Sequence, residues 1–345
     1  MRPSQLALSI SLCAAATTAL ADPAKAPLPR DPAALTERTA LLAPIQVDSL
    51  TLTPIVATGD VKDEAALLVL DEAMAAKQVK IAEIASGNVN GLQFTNRADR
   101  PVFVMAGEVI IGGKQDRIIG RNTVIPAKTS QEVPVFCVEH GRWHGESKEF
   151  TTAKALAHGR LRGQASYADQ GDVWNEVAAK NKARKTENAS DTYRRVALQQ
   201  SDGTLGAMEK QVTAALGQLP AGDRARMVGY AVALNGKVAT VDVFGSPALF
   251  KKLETKLVRS YLTEAVDVAR QKDVKPPAPA DVKAFMADAD KAAEARSYDT
   301  AAAETKVNRG MHASKARVDY KPAKAGPAAA APVAAPTVYE NYQAK

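Results

Sequence analysis

Cysteine is almost absent from this chain, with only Cys13 and Cys137 among 345 residues. Cys13 lies in a segment that reads as a removable secretory signal. Met1-Arg2 is followed by an apolar run from Leu6 to Leu20 and by Ala19-Leu20-Ala21, a small-x-small cleavage pattern before Asp22. A chain cut there keeps one thiol, forms no internal disulfide, and must draw its stability from a packed core. The apolar run falls short of the roughly 20 residues a spanning helix needs, and no other segment reads as transmembrane. Leu12 stands where lipidation of Cys13 would need a small residue. Aromatics are scarce at 5%. Lys and Arg exceed Asp and Glu, 45 to 38, but the two signs are interleaved. That balance excludes nucleic acid as the expected partner and leaves a mild attraction to anionic ligands or surfaces. GxSxG, HExxH, Rossmann GxGxxG and Walker A patterns are all missing, so no cofactor is expected, and no repeat of solenoid period is present.

What is there reads as one α+β domain. An Ala/Pro-rich lead-in covers 22–44, and ordered structure is expected from 45, where 45–52 alternates as a half-buried strand. Asp60 offers an N-cap, with Asp63 and Glu64 in the first turn, for a helix to about Lys77 burying Leu67, Leu68, Leu70 and Met74. Strands are expected at 79–84, 92–95, 101–105, 109–111, 117–119, 124–125 and 132–138, with short antiparallel connections. Helices follow at 152–168, 171–184, 191–200 and 205–219. Asn235-Gly236 then marks a type I′ hairpin between 227–234 and 237–244. Ser246-Pro247 opens a helix to about 269 with Leu249, Phe250, Leu253, Leu257, Tyr261 and Leu262 on its buried face. The expected fold is a single domain over 45–270 with a mainly antiparallel sheet, a helical block, and a C-terminal β-hairpin followed by a helix. The Ala/Pro/Lys-rich tail, 271–345, reads as partly helical near 281–296 and largely disordered, above all at 321–336.

Chemistry-bearing residues crowd into 107–143. In Gly112-Gly113-Lys114-Gln115-Asp116-Arg117, two glycines allow close backbone approach. Lys114 as a point charge, Arg117 as a fork and Gln115 for orientation suit an oxyanion. A charged hairpin edge that deters aggregation is the competing reading. Val135, Cys137 and Glu139 alternate onto one strand face, so a thiol stands beside a carboxylate that needs Arg142, Arg117 or Lys114 as partner. Cys137 itself reads as a small core residue or as a nucleophile. Arg142-Trp143 suits clamping of planar or anionic groups. Glu108, after a Met105-Ala106-Gly107 turn, is either a general base or a solvated turn residue. Cys137, His140 and His144, with Glu139 or Glu146, come near zinc spacing, but three strong ligands in a non-standard pattern assign no metal. His158 and His312 are expected to be isolated and exposed.

The segments GEVIIGGKQDRII, PVFCVEHGRW and GYAVALNGKVATVDVFGSPALFKKLETKLVRSYL together resemble the ARPP-1 family, the ARG and rhodanese-phosphatase-superfamily-associated protein domain, over about 45–267. The specific elements are GxKQxR and PVxCVExGRW, matched by Gly112, Lys114, Gln115, Arg117, Pro134, Val135, Cys137, Val138, Glu139, Gly141, Arg142 and Trp143. The resemblance implies a domain and not a reaction. It also implies Gln as frequent where His140 stands, which weakens any site built on that histidine. The resulting expectation is a periplasmic or secreted domain whose polar pocket binds a small anionic or polar molecule. Lys114, Arg117 and Arg142 would supply charge, Gln115 and Glu139 orientation, and Trp143 stacking. Two alternatives stay open: a hydrolase or transferase using Glu108 or Glu139 as acid/base with Cys137 as nucleophile, and a structural protein associated with the envelope through its tail.

Overall fold

The computed structural model describes residues 35–59, 66–84, 89–142, 149–167, 169–199, 203–321 and 336–345. A 3₁₀ turn, Leu35–Arg38, leads into β1 (Thr39–Leu41), β2 (Ile45–Val47), β3 (Leu50–Ala57) and β4 (Leu68–Val69), then helix α1 (Leu70–Ala75). The β-rich stretch follows as β5 (Val79–Glu83), β6 (Gly91–Asn96), β7 (Val102–Val104), β8 (Glu108–Gly112), β9 (Arg117–Ile119), β10 (Thr123–Ile125), β11 (Ser130–Cys137) and β12 (Phe150–Leu156). The helical block comprises α2 (Gly159–Tyr167), α3 (Gln170–Arg184), α4 (Arg194–Leu198), α5 (Gly203–Gly217) and α6 (Ala221–Ala225). The hairpin β13 (Met227–Leu234) and β14 (Lys237–Phe244) precedes α7 (Pro247–Ala265) and α8 (Pro279–Asp290). Four more strands complete the chain: β15 (Glu294–Asp299), β16 (Ala303–Arg309), β17 (Ala313–Tyr320) and β18 (Thr337–Ala344).

Three sheets result. The large antiparallel sheet runs β1-β3-β13-β14-β18-β17-β16-β15, with β2 also paired to β3. A six-stranded antiparallel sheet runs β12-β8-β9-β11-β6-β5, and a small one runs β10-β7-β4, where β4 lies parallel to β7. The central strands of the large sheet are apolar on both faces because both are covered. On β13, Tyr230 and Val232 join the core beneath α7, while Val228 and Ala231 join the core with Val282 and Met286 of α8. Helix α7 begins as its sequence dictates: Ser246 accepts a hydrogen bond from Leu249 N–H and Pro247 occupies the first turn. Its buried residues include the six apolar ones that the periodicity selects, and sealing a leucine such as Leu257 contributes about 1.5–3 kcal/mol.

One carboxylate ties these layers together. Asp242 of β14 is fully buried and accepts from Arg162 of α2 at 2.8 Å, from Asn341 of β18 at 2.8 Å, and from the hydroxyls of Tyr261 on α7 and Tyr339 on β18. Burial alone would depress the Arg162 guanidinium, but Asp242 holds it well above its ordinary value. Burial and the Asp242 charge together raise both tyrosines, which stay neutral donors.

Several expectations are corrected. The helix expected up to Lys77 shrinks to α1, because Leu68-Val69 pairs with β7 as a strand; Asp60, Asp63 and Glu64 lie outside the described residues. The start of the helix expected at 152–168 instead belongs to β12, Phe150–Leu156, an edge strand on β8 with an irregular register, and only the following segment coils as α2. The expected helix at 191–200 is reduced to α4. Order begins before 45: Leu35 is buried, its N–H donates to Glu340 at 3.0 Å, and β1 pairs with β3. The helix expected near 281–296 is α8, but the rest of the described tail is not disordered. Past α8 it supplies four strands of the large sheet, with β18 inserted between β14 and β17. Segments 1–21 and 322–335, read as signal and as low complexity, lie outside the described residues.

Insertion of β18 makes a definite prediction. Deleting residues 336–345 removes five register pairs along β14 and the Tyr339 and Asn341 bonds to Asp242. A protein shortened in this way is expected to lose its cooperative thermal transition in near-UV circular dichroism. An unchanged melting curve would show that the pairing is dispensable.

Candidate functional site

The turn between β8 and β9 is built around Gly113, which sits at φ +54° with no room for a side chain: an added Cβ would come within 2.3 Å of the Phe150 ring. The turn presents Asp116 inward and Lys114 outward. Asp116 is fully buried and takes a two-pronged contact from Arg194, at 2.8 Å and 2.7 Å, a bond from Thr192 Oγ1 at 2.9 Å, and a longer contact from Arg142 at 3.4 Å. Glu139 lies just past the end of β11. It accepts from Asp116 N–H at 3.0 Å, Arg142 Nε at 2.9 Å and Ser190 Oγ at 2.8 Å. Burial alone would raise the Glu139 carboxyl, but the bonds from Arg142, Asp116 and Ser190 outweigh it and hold the group below the usual carboxylate range. Arg142 completes the ring by donating to Gly113 O at 2.9 Å. This network fastens the hairpin to the start of α4.

Gln115 and Arg117 lie beneath it, each 2% exposed. Gln115 donates to Glu139 O at 2.7 Å and accepts from Arg117 Nη1 at 3.3 Å. Arg117 Nη1 also donates to Asp116 O, whereas its buried Nε has no partner. Burial pulls the guanidinium below its ordinary value. Cys137 is the cross-strand neighbour of Arg117 and is 3% exposed. Its backbone is clamped by Gln170 of α3, which bonds both its N–H and its C=O at 2.8 Å. Burial raises the thiol, with Arg117 offsetting part of the effect, so the neutral form is favoured.

Glu108 does not join this cluster. It stands at the start of β8, two residues before Ile110, the cross-strand partner of Arg117. Its carboxylate meets Lys256 of α7 and accepts from Met105 N–H at 2.8 Å, while Lys256 also reaches Asp71 at 3.0 Å. Burial raises Glu108 above the carboxylate range. Lys256, which burial would depress, is held up by Glu108 and Asp71. Glu108, expected as either a general base or a solvated turn residue, forms a sealed ion pair that pins α7 to the six-stranded sheet.

His158, expected to be exposed, is fully buried. The Glu176 carboxylate only accepts, so Nε2–H donates to it at 2.9 Å, and Nδ1 of the neutral ring accepts from the Tyr193 hydroxyl at 2.9 Å, whose oxygen also accepts from His158 backbone N–H at 3.1 Å. Burial lowers His158 despite the Glu176 bond, so the ring is neutral. His312 is exposed as expected, and His140 stacks edge-on against Trp174 at 4.6 Å. His144, Glu146 and Trp143 lie outside the described residues, among which no group of three His, Cys, Asp or Glu side chains is placed to hold a metal. A cavity of about 710 Å³ opens elsewhere, between α2, α7 and the ends of β16 to β18; none of the candidate site residues lines it.

Of the seven polar residues expected to form one site, Gln115, Arg117, Glu139 and Arg142 converge. Lys114 points outward, with Nζ 3.9 Å from Glu83, Glu108 is elsewhere, and Trp143 is undescribed. Sequence reasoning missed Ser190, Thr192 and Arg194, whose one signal was a polar run following α3, and Lys256, which sits on the flank of an amphipathic helix.

A family model described as ARG and Rhodanese-Phosphatase-superfamily-associated Protein domain, ARPP-1, matches residues 38–323, most of the chain. No curated protein and no solved structure matches it. Among the described residues no helix is long and apolar enough to cross a membrane.

Two predictions follow from the buried charges. Asp116→Ala leaves the half-buried Arg194 and part of Arg142 without their counter-charge, so it should cost about 1–3 kcal/mol in a denaturant titration. A loss within error of zero would show the network to be inert. For His158 the folded pKa is depressed, so the unfolded chain takes up a proton first as pH falls through about 6.5. Its contribution is intact above that value and is lost progressively below it. His158→Gln should therefore melt with a shallower acid limb than the parent protein; equal slopes in mildly acidic buffer would contradict the assignment.

Proposed function

The chain belongs to the ARPP-1 family, and we propose that this member is a periplasmic or secreted domain that binds a small anionic ligand at the β8–β9 hairpin through Arg117. The signal-like segment before Asp22 supports the location. The observation that carries the binding reading is a charge surplus. Asp116 and Glu139 balance Arg142 and Arg194, and Glu83 stands against Lys114, whereas Arg117 has no carboxylate at ion-pair distance among the described residues. A sealed guanidinium with an unbonded Nε and neutral oxygens at 3.3 Å carries a desolvation penalty that the more distant Glu83 and Asp116 offset only in part. An anion would relieve it with charge-assisted bonds. At 2% exposure the group suits a compact carboxylate or phosphate-type anion and not a polymer.

Catalysis has less support. The thiol of Cys137 is sealed and favours its neutral form, Glu139 is held ionised by three donors, and Glu108 is committed to Lys256. None of the three is free to take a proton from, or attack, a substrate in this arrangement. In the binding reading Gln115 orients Arg117, Glu139 and Arg142 fix the turn, and Trp143 supplies a stacking face.

The reading is tested by thermal shift and calorimetry with inorganic phosphate, sulfate, acetate and citrate. A saturating ligand is expected to raise the stability of the parent protein by about 2.7 kcal/mol at a hundredfold excess over its Kd. Arg117→Gln should remove the shift and Lys114→Gln should keep it. Binding by none of these anions, or undiminished binding by Arg117→Gln, would remove the basis of the proposal.

A further inference from the structure

The 710 Å³ cavity falls within the range of small-molecule sites, roughly 300–1,000 Å³. One wall is apolar, formed by Val232, Leu234, Ala239 and the ring of Tyr261, which is held in place by the hydroxyl bond to Asp242. The opposite wall is α2, where Gly163 permits a close approach to β18: a Cβ there would come within 2.8 Å of Gln343 Cγ.

The polar lining divides into two kinds. The charged groups are already engaged or wrongly signed for an anion. Arg160 lies 3.0 Å from Glu176, Glu264 accepts from Arg160 N–H at 3.0 Å, Lys345 donates to Gly310 O, and Arg309 has a partner as well. Asp172 stands exposed at the rim. The neutral groups are the uncommitted ones. Ser314 and Gln343 line the cavity with no side-chain hydrogen bond to another described residue. Gln164 Oε1 is buried without a partner. Native structures rarely leave a buried oxygen of that kind unmet, so it points to something that bonds it. A hydroxyl and two amides both donate and accept, which matches ligand hydroxyls, and an apolar wall beside them suits the C–H face of a ring.

We infer that this cavity binds a neutral, hydroxyl-rich small molecule of the sugar or short-oligosaccharide class, held by Ser314, Gln343 and Gln164 against the Val232–Tyr261 wall. The site shares no residue with the Arg117 cluster and stands independently of it.

Calorimetry of the full chain with glucose, N-acetylglucosamine, maltose and cellobiose tests the inference, with glucuronate as the anionic counterpart. At least one neutral sugar should bind, and Ser314→Ala combined with Gln343→Ala should weaken it about tenfold or more while the melting curve stays cooperative. Gln164→Ala, on α2, offers a second variant that leaves the strands untouched and should weaken the same sugar. Arg117→Gln should bind it as the parent does, which separates this site from the anion site. Binding of glucuronate alone, binding unaffected by either set of alanine replacements, or no binding by any neutral sugar would each overturn the inference.

Discussion

The carboxylate of Asp242 is the constraint on which the rest of the architecture depends. A single charge on β14 collects a guanidinium from α2, phenols from α7 and β18, and an amide from β18. Burying an ion pair is costly, and the cost is offset only when every remaining lone pair finds a donor. Here the neutral donors do that work, and they come from different layers. The helical block, the long helix and the large sheet are thereby fixed to one point, and with them the wall of the cavity that Tyr261 supplies.

The motif residues have a related role at the start of α4. What looked in the sequence like a set of ligand-facing charges is, for the most part, a docking device. Asp116 receives Arg194, Glu139 receives Ser190 and Arg142, and the turn is thereby bolted to the helical block. The exception is Arg117, which shares the burial of its neighbours and lacks their counter-charges. A lock whose parts balance, with one part left over, is a more specific arrangement than a cluster of like charges.

How much of this was legible in the sequence depends on whether the signal was local. The Asn235-Gly236 turn, the Ser246 cap and the apolar stripe of α7 are written within a few residues, and the strands from β5 to β11 are bounded by their own turn residues. The tail was misread because its strands carry their pattern in partners far away. β17 alternates Lys315, Arg317 and Asp319 with small or apolar residues, and these charges are sealed only when Glu340 and Asp290 arrive opposite them. Composition in isolation made such a segment look solvated. His158 was misread for the same reason: nothing near it in sequence announces Tyr193 or Glu176. The segment at 150–156 has helical composition, yet the open edge of β8 claims it. Within the candidate site, the convergence of Glu139 and Arg142 was legible from their spacing of three, whereas the distant Arg194 and Lys256 were not.

The position of β18 also bears on the order in which this molecule is assembled. β13 and β14 are joined by a two-residue turn and can pair as soon as both exist, but the far side of β14 is completed by residues such as Gln343, which pairs with Thr240. Until the chain beyond residue 336 is available, a nearly finished protein carries an open strand edge and an Asp242 that lacks the Tyr339 and Asn341 donors. Such an intermediate is slow to close, because the contact spans about a hundred residues, and it is exposed to pairing with the wrong strand meanwhile. The strand nearest the chain's end thus completes the sheet at its middle, between β14 and β17, and not at an edge.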